Sequence, residues 1–181
     1  KYQKLLAVIG EVGHSISRER TGIKVSFGDT AFANWLDDNF GRHSHLKTLP
    51  AWVMGHPHRD ALLQGYMDTD GCVDGNKVTI NSTSKSLAHG VCDLLNIQGW
   101  VTSVAKMETA ATCVIEGRTV NQRDYFQVRA NHLSTSRKAR VRHGYLMRTV
   151  QAWEPAGEAM VFNIEVEEDN SFILAGAVVH N

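Results

Sequence analysis

Prolines and cysteines are scarce in this chain of 181 residues, which contains three of each. An odd number of cysteines without short paired spacing argues against a disulfide framework or a cysteine-rich zinc site. Cys72, Cys92 and Cys113 are therefore predicted to be buried or incidental thiols. No apolar run is long enough to span a bilayer, and the first residues lack the apolar region of a secretory signal. The sequence predicts a cytoplasmic protein without a membrane partner.

Net charge is also absent, because 19 Lys and Arg residues balance 19 Asp and Glu residues. A neutral balance gives no overall attraction to nucleic acid. The charge is nevertheless unevenly distributed: histidine aside, the charged side chains of residues 133–144 are all basic, whereas residues 145–181 are mostly acidic. This change predicts a basic linker at 133–144 and a separate C-terminal piece at 145–181.

Hydrophobic periodicity predicts two strand–helix units in the preceding region. In the first, Gly22–Gly28 alternates as a half-buried strand, and Thr30–Phe40 is a helix with Thr30 as its N-cap. In the second, the strand Lys77–Ser82 precedes the helix Leu87–Asn96, which Ser84 or Ser86 caps. The remaining predicted elements of this region are a helix at Tyr2–Gly13 and strands at Trp100–Met107 and Tyr125–Ala130.

The C-terminal piece has a different pattern of short β-like segments. They are predicted at residues 145–153, 161–166 and 172–175, with turn residues between them. An all-β fragment of this size rarely closes a core alone, so we expect partner strands from elsewhere. The whole chain is therefore assigned to the α+β class.

An unusual acidic helix end is predicted at residues 62–71. Asp68 and Asp70 lie in the last turn before Gly71, where the helix dipole disfavours carboxylates. A bound cation is the simplest compensation, and the alternative is a solvated carboxylate at a frayed helix end. Gly65 lowers helix propensity but allows a second helix to approach closely.

Leu63–Gly71 resembles the nine-residue motif of the LAGLIDADG homing endonucleases, with Gly65, Asp68, Asp70 and Gly71 identical. The preceding segment 47–53 resembles the Lys-x-Ile-Pro segment that comes before the second motif of intein endonucleases. The resemblance implies two motif helices packed side by side above a saddle of antiparallel strands that lies in the DNA major groove. Residues 1–132 would then be a partial endonuclease domain, with 1–60 the remainder of its first half and 61–132 its second half.

The resemblance places Asp70 at the metal-ligand position, where one acid from each motif helix holds Mg²⁺ for any DNA cleavage. Mg²⁺ suits this chemistry because it activates water and neutralises charge on a phosphate. Asp68 matches a position that is often structural in the family and ranks lower as a metal ligand. Residues 1–60 contain no matching motif, so a missing N-terminal piece or a second copy is expected to supply the first one.

Two strands present alternating polar side chains that are candidates for contact with bases or phosphates. An ordinary solvated sheet face is the alternative, since the region is not strongly basic. The candidates are Lys77, Thr79 and Asn81 in one strand, and Tyr125, Gln127 and Arg129 in the other.

Two His-x-His pairs, His43 with His45 and His56 with His58, have a spacing that permits zinc ligation from strands. No cysteine lies near them in the sequence, and Pro57 separates the second pair. We interpret all four as solvated loop histidines.

Residues 161–181 resemble the last two motif blocks of inteins, with a strand, an acidic turn, a second strand and a final His180-Asn181. The resemblance implies that the Asn181 side-chain amide attacks its own main-chain carbonyl and so cleaves the following peptide bond as a succinimide forms. His180 would assist as a proton donor or polarising group. This step needs no cofactor.

Two positions depart from the common intein pattern. Asn163 stands where many inteins have an aspartate that assists the early acyl shift, and Asn170 where a histidine often assists cyclisation. Neither amide is charged or relays protons at neutral pH, although both form hydrogen bonds. Slower or differently assisted cyclisation is therefore expected.

The first residue is Lys1, whereas inteins begin with a nucleophile such as Cys or Ser. The sequence hypothesis is therefore the C-terminal half of a split intein that splices in trans. Its partners would be an N-terminal intein half, the C-extein after Asn181, and double-stranded DNA at the endonuclease part. The alternatives are a DNA endonuclease or DNA-binding half with a relic splicing end, and an unrelated interaction module.

Overall fold

The structure is a computed structural model that describes residues 14–20, 22–135, 139–143, 145–160, 162, 164, 166–167, 171–174 and 177–180. Its first part contains two strands and three helices: β1 His14–Glu19, β2 Gly22–Phe27, α1 Thr30–Phe40, α2 Trp52–Gly55 and α3 Arg59–Asp70. The next part contains β3 Gly71–Asp74, β4 Lys77–Ser82, α4 Lys85–Ile97, β5 Trp100–Met107, β6 Thr112–Ile115, β7 Arg118–Asn121 and β8 Tyr125–His132. The tail contains β9 Ala139–Arg142, β10 Tyr145–Arg148, β11 Ser171–Leu174 and β12 Ala177–His180. Short 3₁₀ turns lie at Ser44–Leu46 and Leu133–Thr135.

A four-stranded antiparallel sheet in the order β3-β4-β8-β5 is the centre of the fold. The last strand in sequence, β8, lies between β4 and β5, so that Thr79 pairs with Arg129 and Arg129 with Ser103. The remaining described strands form two-stranded hairpins: β1–β2, β6–β7, β9–β10 and β11–β12. The combination of helices and antiparallel strands agrees with the predicted mixture of helix and sheet.

Helix α4 covers one face of this sheet. Alternate residues of β4 and β8 face the helix because side chains in a strand point to opposite faces in turn. Apolar residues at helical spacing make the matching stripe on α4, where Leu95 is fully buried. The buried residues are Val78 and Ile80 of β4, Val128 and Ala130 of β8, and Ala88, Val91, Leu94 and Leu95 of α4. The opposite face of the sheet carries mostly polar side chains.

Capping residues explain where the helices begin and end. The predicted cap Thr30 is wrong, because the Asp29 carboxylate accepts the hydrogen bond from Phe32 N at 2.9 Å. The α4 cap at Ser84 is confirmed. Gly71 ends α3 with φ −87°, outside the left-handed region, and a Cβ there would lie 2.6 Å from the Met67 carbonyl oxygen. A glycine is therefore required by close approach at this position.

Some predicted elements differ in extent. The strands at Lys77–Ser82 and Trp100–Met107 match the prediction, and β8 runs two residues further than expected. The tail strand expected at 145–153 ends at Arg148, because no partner strand continues beyond the β9–β10 hairpin in the described residues. Of the strand expected at 161–166, the described residues 162, 164 and 166 are not in a strand. The helix predicted at 2–13 lies outside the described residues.

Residues 47–49, which precede α2, contact the first half of α4. Ser84 Oγ donates to the Lys47 carbonyl and accepts from Leu87 N at 3.2 Å, so one hydroxyl caps the helix and holds the segment. Leu49 packs so close to Gly90 that a Cβ there would lie 2.7 Å from the Leu49 Cβ. This packing positions the motif helix that follows.

Replacing Ser84 with alanine is expected to lower the free energy of unfolding by about 1–2 kcal/mol, since a helix cap is lost and the Lys47 carbonyl loses a donor. Urea unfolding followed by circular dichroism measures the change. The matched control is Ser86→Ala on the same helix, whose hydroxyl bonds only the half-buried Thr48 side chain in the described structure. Equal losses in the two variants would contradict a special role for Ser84.

Arg148 connects the tail to the sheet. Its Nη1 donates to the Thr102 carbonyl oxygen of β5 at 2.6 Å. Since β5 is an edge strand, this carbonyl needs a partner from outside the sheet.

Among the described helices, none is long and apolar enough to cross a membrane.

Candidate nucleic-acid interface

The last turn of α3 places the two candidate carboxylates on different faces of the helix. Residues two apart on a helix do not face each other. Asp68 accepts a hydrogen bond from Gln64 Nε2 at 2.9 Å, whereas Asp70 is exposed beside an open groove. The hydrogen bond with Gln64 gives Asp68 a described partner, whereas Asp70 lines the groove. The metal-ligand roles of both residues stay predictions.

A groove of about 820 Å³ runs along the face of α3 that carries Gly65 and Asp70. Its walls are mainly apolar and come from α1, the segment before α2, α3 and the start of α4. An added Cβ at Gly65 would meet no atom within 4 Å, so the small residue faces open space. The lining includes Leu36, Phe40, Leu49, Leu62, Tyr66, Thr83 and Leu87. The groove therefore leaves room for another element against the motif helix.

Tyr66 lines the groove together with Asp70 and Ser82. Burial raises the pKa of its hydroxyl, the nearby Asp70 carboxylate raises it further, and a hydrogen bond with the Ser82 side chain opposes the shift. The phenol therefore stays neutral and serves as a hydrogen-bonding group.

The open face of the sheet carries the predicted contact residues together. Lys77 and Asn81 are exposed and Thr79 is half-buried, while Val78 and Ile80 between them are buried. The neighbouring strand β8 presents half-buried Tyr125 and Gln127 and exposed Arg129 and Asn131 on the same side. The structure thus places the polar faces that were predicted separately for the two strands on one surface, and their contact with DNA stays a prediction.

Sequence reasoning missed two residues of this face. Asn131 pairs opposite Lys77, and it was missed because the predicted strand ended at Ala130. Cys72 pairs opposite Thr79 in β3, a four-residue strand that is too short to show clear alternation. In the sequence, the available signal for Asn131 was the continued alternation of β8, and for Cys72 the short alternation of β3.

Hydrogen bonds join three of these side chains across the two strands. Arg129 Nε donates to Gln127 Oε1 at 2.6 Å, and Gln127 Nε2 donates to Asn81 Oδ1 at 3.2 Å. We call this set, Asn81, Gln127 and Arg129, the polar row. Its order on a solvated face shows that the surface is partly preorganised.

The β6–β7 hairpin is anchored at one end of the sheet. Lys106 Nζ lies 2.8 Å from Asp124 Oδ2, and the same carboxylate accepts from Thr109 N at 3.1 Å. The hydrogen bond with Asp124 raises the pKa of Lys106, and the hydrogen bond with Lys106 lowers the pKa of Asp124. Both groups are exposed, so this pair holds geometry more than it adds stability.

The histidine pairs do not form a recognisable metal centre. The ring centroids are 6.0 Å apart for His43 and His45, and 5.6 Å apart for His56 and His58. His56 also contacts the Trp52 ring edge to face, at 5.7 Å between centroids. Within the described residues, no group of three or more His, Cys, Asp or Glu side chains is placed to hold a metal.

The residues of the expected splicing centre are mostly outside the described part of the chain. Asn163, Asn170 and Asn181 fall there. His180 is described as the last backbone position of β12, where it pairs with Ser171. Their roles stay predictions.

Comparison with known proteins identifies one region of the chain. Residues 58–134 match the LAGLIDADG-like domain family. This region carries a LAGLIDADG-like domain. The match covers α3, the four-stranded sheet and α4, and it supports an element of the homing-endonuclease type with a DNA-directed function. Over 189 residues, the chain is also 27% identical to the ATP-dependent DNA helicase Hel308 of Thermococcus kodakarensis. That alignment covers 90% of this chain but 16% of the helicase, so the chain spans a small part of the relative it matches.

Proposed function

We propose that this chain is the C-terminal part of a split intein that carries a partial LAGLIDADG endonuclease domain. The observation that carries the proposal is the order of its parts: a LAGLIDADG-like domain at 58–134, then an intein-like ending at residues 161–181. The similarity to 16% of a DNA helicase supports it, because an endonuclease-type domain within a short stretch of a helicase is typical of an inserted element.

The proposed reaction is intramolecular cyclisation at Asn181. The side-chain amide nitrogen forms a bond to the Asn181 carbonyl carbon, the peptide bond to the next residue breaks, and the released amine takes up a proton. The intein then ends in a succinimide, and the following segment is freed or ligated. His180 supplies a proton or a hydrogen bond to the strained amide, while Asn163 and Asn170 act by hydrogen bonding alone.

The tail's architecture supports the need for an N-terminal half. In its described residues, β9–β10 and β11–β12 are separate two-stranded hairpins. Isolated hairpins are at best marginally stable in water, and a small β fragment needs further strands to close a core. The N-terminal intein half would supply those strands, together with the first nucleophile.

The test is mass spectrometry of the chain carrying a short C-terminal extension that begins with Ser or Cys. We expect release of the extension, or its ligation to the partner's N-extein, only after the N-terminal half is added. The intein product should be one water lighter than its free acid, as a succinimide requires. If the halves bind one another but the extension stays attached, the splicing proposal is wrong.

The alternative function is site-specific DNA binding or cleavage, and the open polar face of the sheet favours it. The groove along α3 would receive the first motif helix, since Gly65 faces open space and Asp70 lines the groove. Fitted in this way, Asp70 would meet an acid from that helix. One or two carboxylates are enough for Mg²⁺, which keeps several waters and takes its other ligands from substrate phosphates.

Asp70 fits this role better than a structural one. It is exposed, and its carboxylate lies at the unfavourable end of the helix dipole. When bound there, Mg²⁺ would supply an activated water and would neutralise charge on the phosphate. In this arrangement Asp70 lines the groove together with Tyr66 and Ser82.

Cys72 offers a direct test of the DNA-facing surface. Burial raises the pKa of Cys92 to about 11, so that thiol stays protonated and slow near neutral pH, whereas Cys72 is exposed. Iodoacetamide is expected to alkylate Cys72 first, and excess duplex DNA should slow this step. Peptide mass spectrometry measures both rates. Half-buried Cys113, on the separate β6–β7 hairpin, is the internal control. An unchanged Cys72 rate under saturating DNA would contradict binding on this face.

A further inference from the structure

The hydrogen-bond directions in the polar row are determined by chemistry. A guanidinium only donates, so Gln127 must turn Oε1 toward Arg129 Nε, at 2.6 Å. The Gln127 amide nitrogen then faces Asn81 at 3.2 Å, and Asn81 must accept with Oδ1. Each member thus determines the orientation of the next one.

The groups that remain for a ligand are donors. Arg129 and Asn81 are exposed, and in the described structure the terminal guanidinium nitrogens and the Asn81 Nδ2 form no hydrogen bond. The usual pairing of Asn with adenine requires a free Oδ1 as well as a donor. Because Asn81 Oδ1 is directed at Gln127 Nε2, it is poorly placed for a bidentate contact with adenine, and the row favours base edges that present acceptors.

We propose that the polar row selects guanine in the major groove, with Arg129 donating to its O6 and N7 atoms. This inference rests on the DNA contact proposed above and goes beyond it by naming the base. Arg129 lies opposite Thr79, two residues along β4 from Asn81. Alternate strand residues are about 6.6 Å apart, close to two base-pair steps of about 3.4 Å. Asn81 therefore donates to an acceptor about two base pairs away, and Gln127 acts as a positioning residue.

The test begins with binding to a pool of duplexes whose central segment is randomised, followed by sequencing of the bound fraction. We expect guanine to be enriched at one position, with an acceptor-bearing base about two steps away. Replacing the selected guanine with 7-deazaguanine removes the N7 acceptor and should weaken binding on the order of tenfold.

Three variants distinguish recognition of the guanine base from non-specific electrostatic attraction to the DNA phosphates. Arg129→Lys keeps the charge but loses the planar fork, so it should bind the pool with clearly reduced guanine enrichment. Gln127→Leu should reduce guanine enrichment and admit adenine near Asn81, because Arg129 loses its acceptor and the Asn81 amide loses the donor that orients it. Lys77→Met is the matched control on the same face, and it should weaken binding to all sequences equally. Circular dichroism checks that each variant is folded.

The outcomes distinguish failure of guanine selection from failure of the DNA-binding proposal on which it rests. If the unaltered chain shows no salt-dependent binding to any duplex, the DNA-binding proposal fails and this inference fails with it. If binding is salt-dependent but shows no guanine enrichment, or if Arg129→Lys keeps that enrichment, only the reading by the polar row is overturned.

Discussion

Replacement of Asn181 with alanine is expected to abolish release of any segment that follows residue 181. Alanine has no side-chain amide, so no nucleophile is available to attack the main-chain carbonyl and no succinimide forms. The expected change is therefore complete loss of this step and not a reduced rate. Mass spectrometry of the extended chain mixed with an N-terminal half gives the readout.

Binding of the two halves provides the control for this variant. Asn181→Ala should still associate with the N-terminal half and should still allow the upstream steps, so that a branched or thioester-linked species accumulates. His180→Ala should slow cyclisation without eliminating it, since His180 assists and does not itself attack. Release of the extension by Asn181→Ala at the unaltered rate would refute the proposed mechanism.

Replacement of Asp70 with asparagine is expected to reduce metal-dependent DNA cleavage to background when a segment carrying the first motif is supplied. An amide oxygen remains, but the negative charge that holds a divalent ion is lost. The same change should raise the free energy of unfolding by about 0.3–1 kcal/mol, because an unfavourable charge leaves the negative end of α3. Loss of cleavage with a gain in stability separates a catalytic role from a structural one.

The matched control for this change is Asp68→Asn in the same helical turn. Asp68 accepts from Gln64 and does not line the groove, so its removal should leave cleavage nearly unchanged. DNA binding by the sheet face should persist in both variants. The role of Asp70 is contradicted if Asp70→Asn still cleaves, or if Asp68→Asn loses as much activity.

The groove beside α3 is the proposed binding place of the first motif helix, which the cleavage experiments supply as a separate segment. Cleavage that requires an added helix should depend on Gly65, since any larger side chain would project into the open space beside α3. The intein and DNA proposals are compatible because they use different parts of the chain. Arg148 contacts the sheet through its hydrogen bond to the Thr102 carbonyl oxygen.

The sequence by itself determined the strands at Lys77–Ser82 and Trp100–Met107 and the polar character of one sheet face. Strict alternation of apolar and polar residues is a local signal, and one buried face makes its register unambiguous. The α4 cap at Ser84 was also readable, because a cap bonds within its own turn. Short strands such as β3 lack enough alternations to be read in this way.

Only the tertiary structure decided what these residues do together. The placement of β8 between β4 and β5 brings Gln127 to Asn81, 46 residues away in sequence, and no local pattern specifies such a pairing. The structure also separated Asp68 from Asp70 and opened the groove beside Gly65. The physical reason is that spacing along a chain determines which face a side chain occupies, whereas packing between distant segments determines what that face meets.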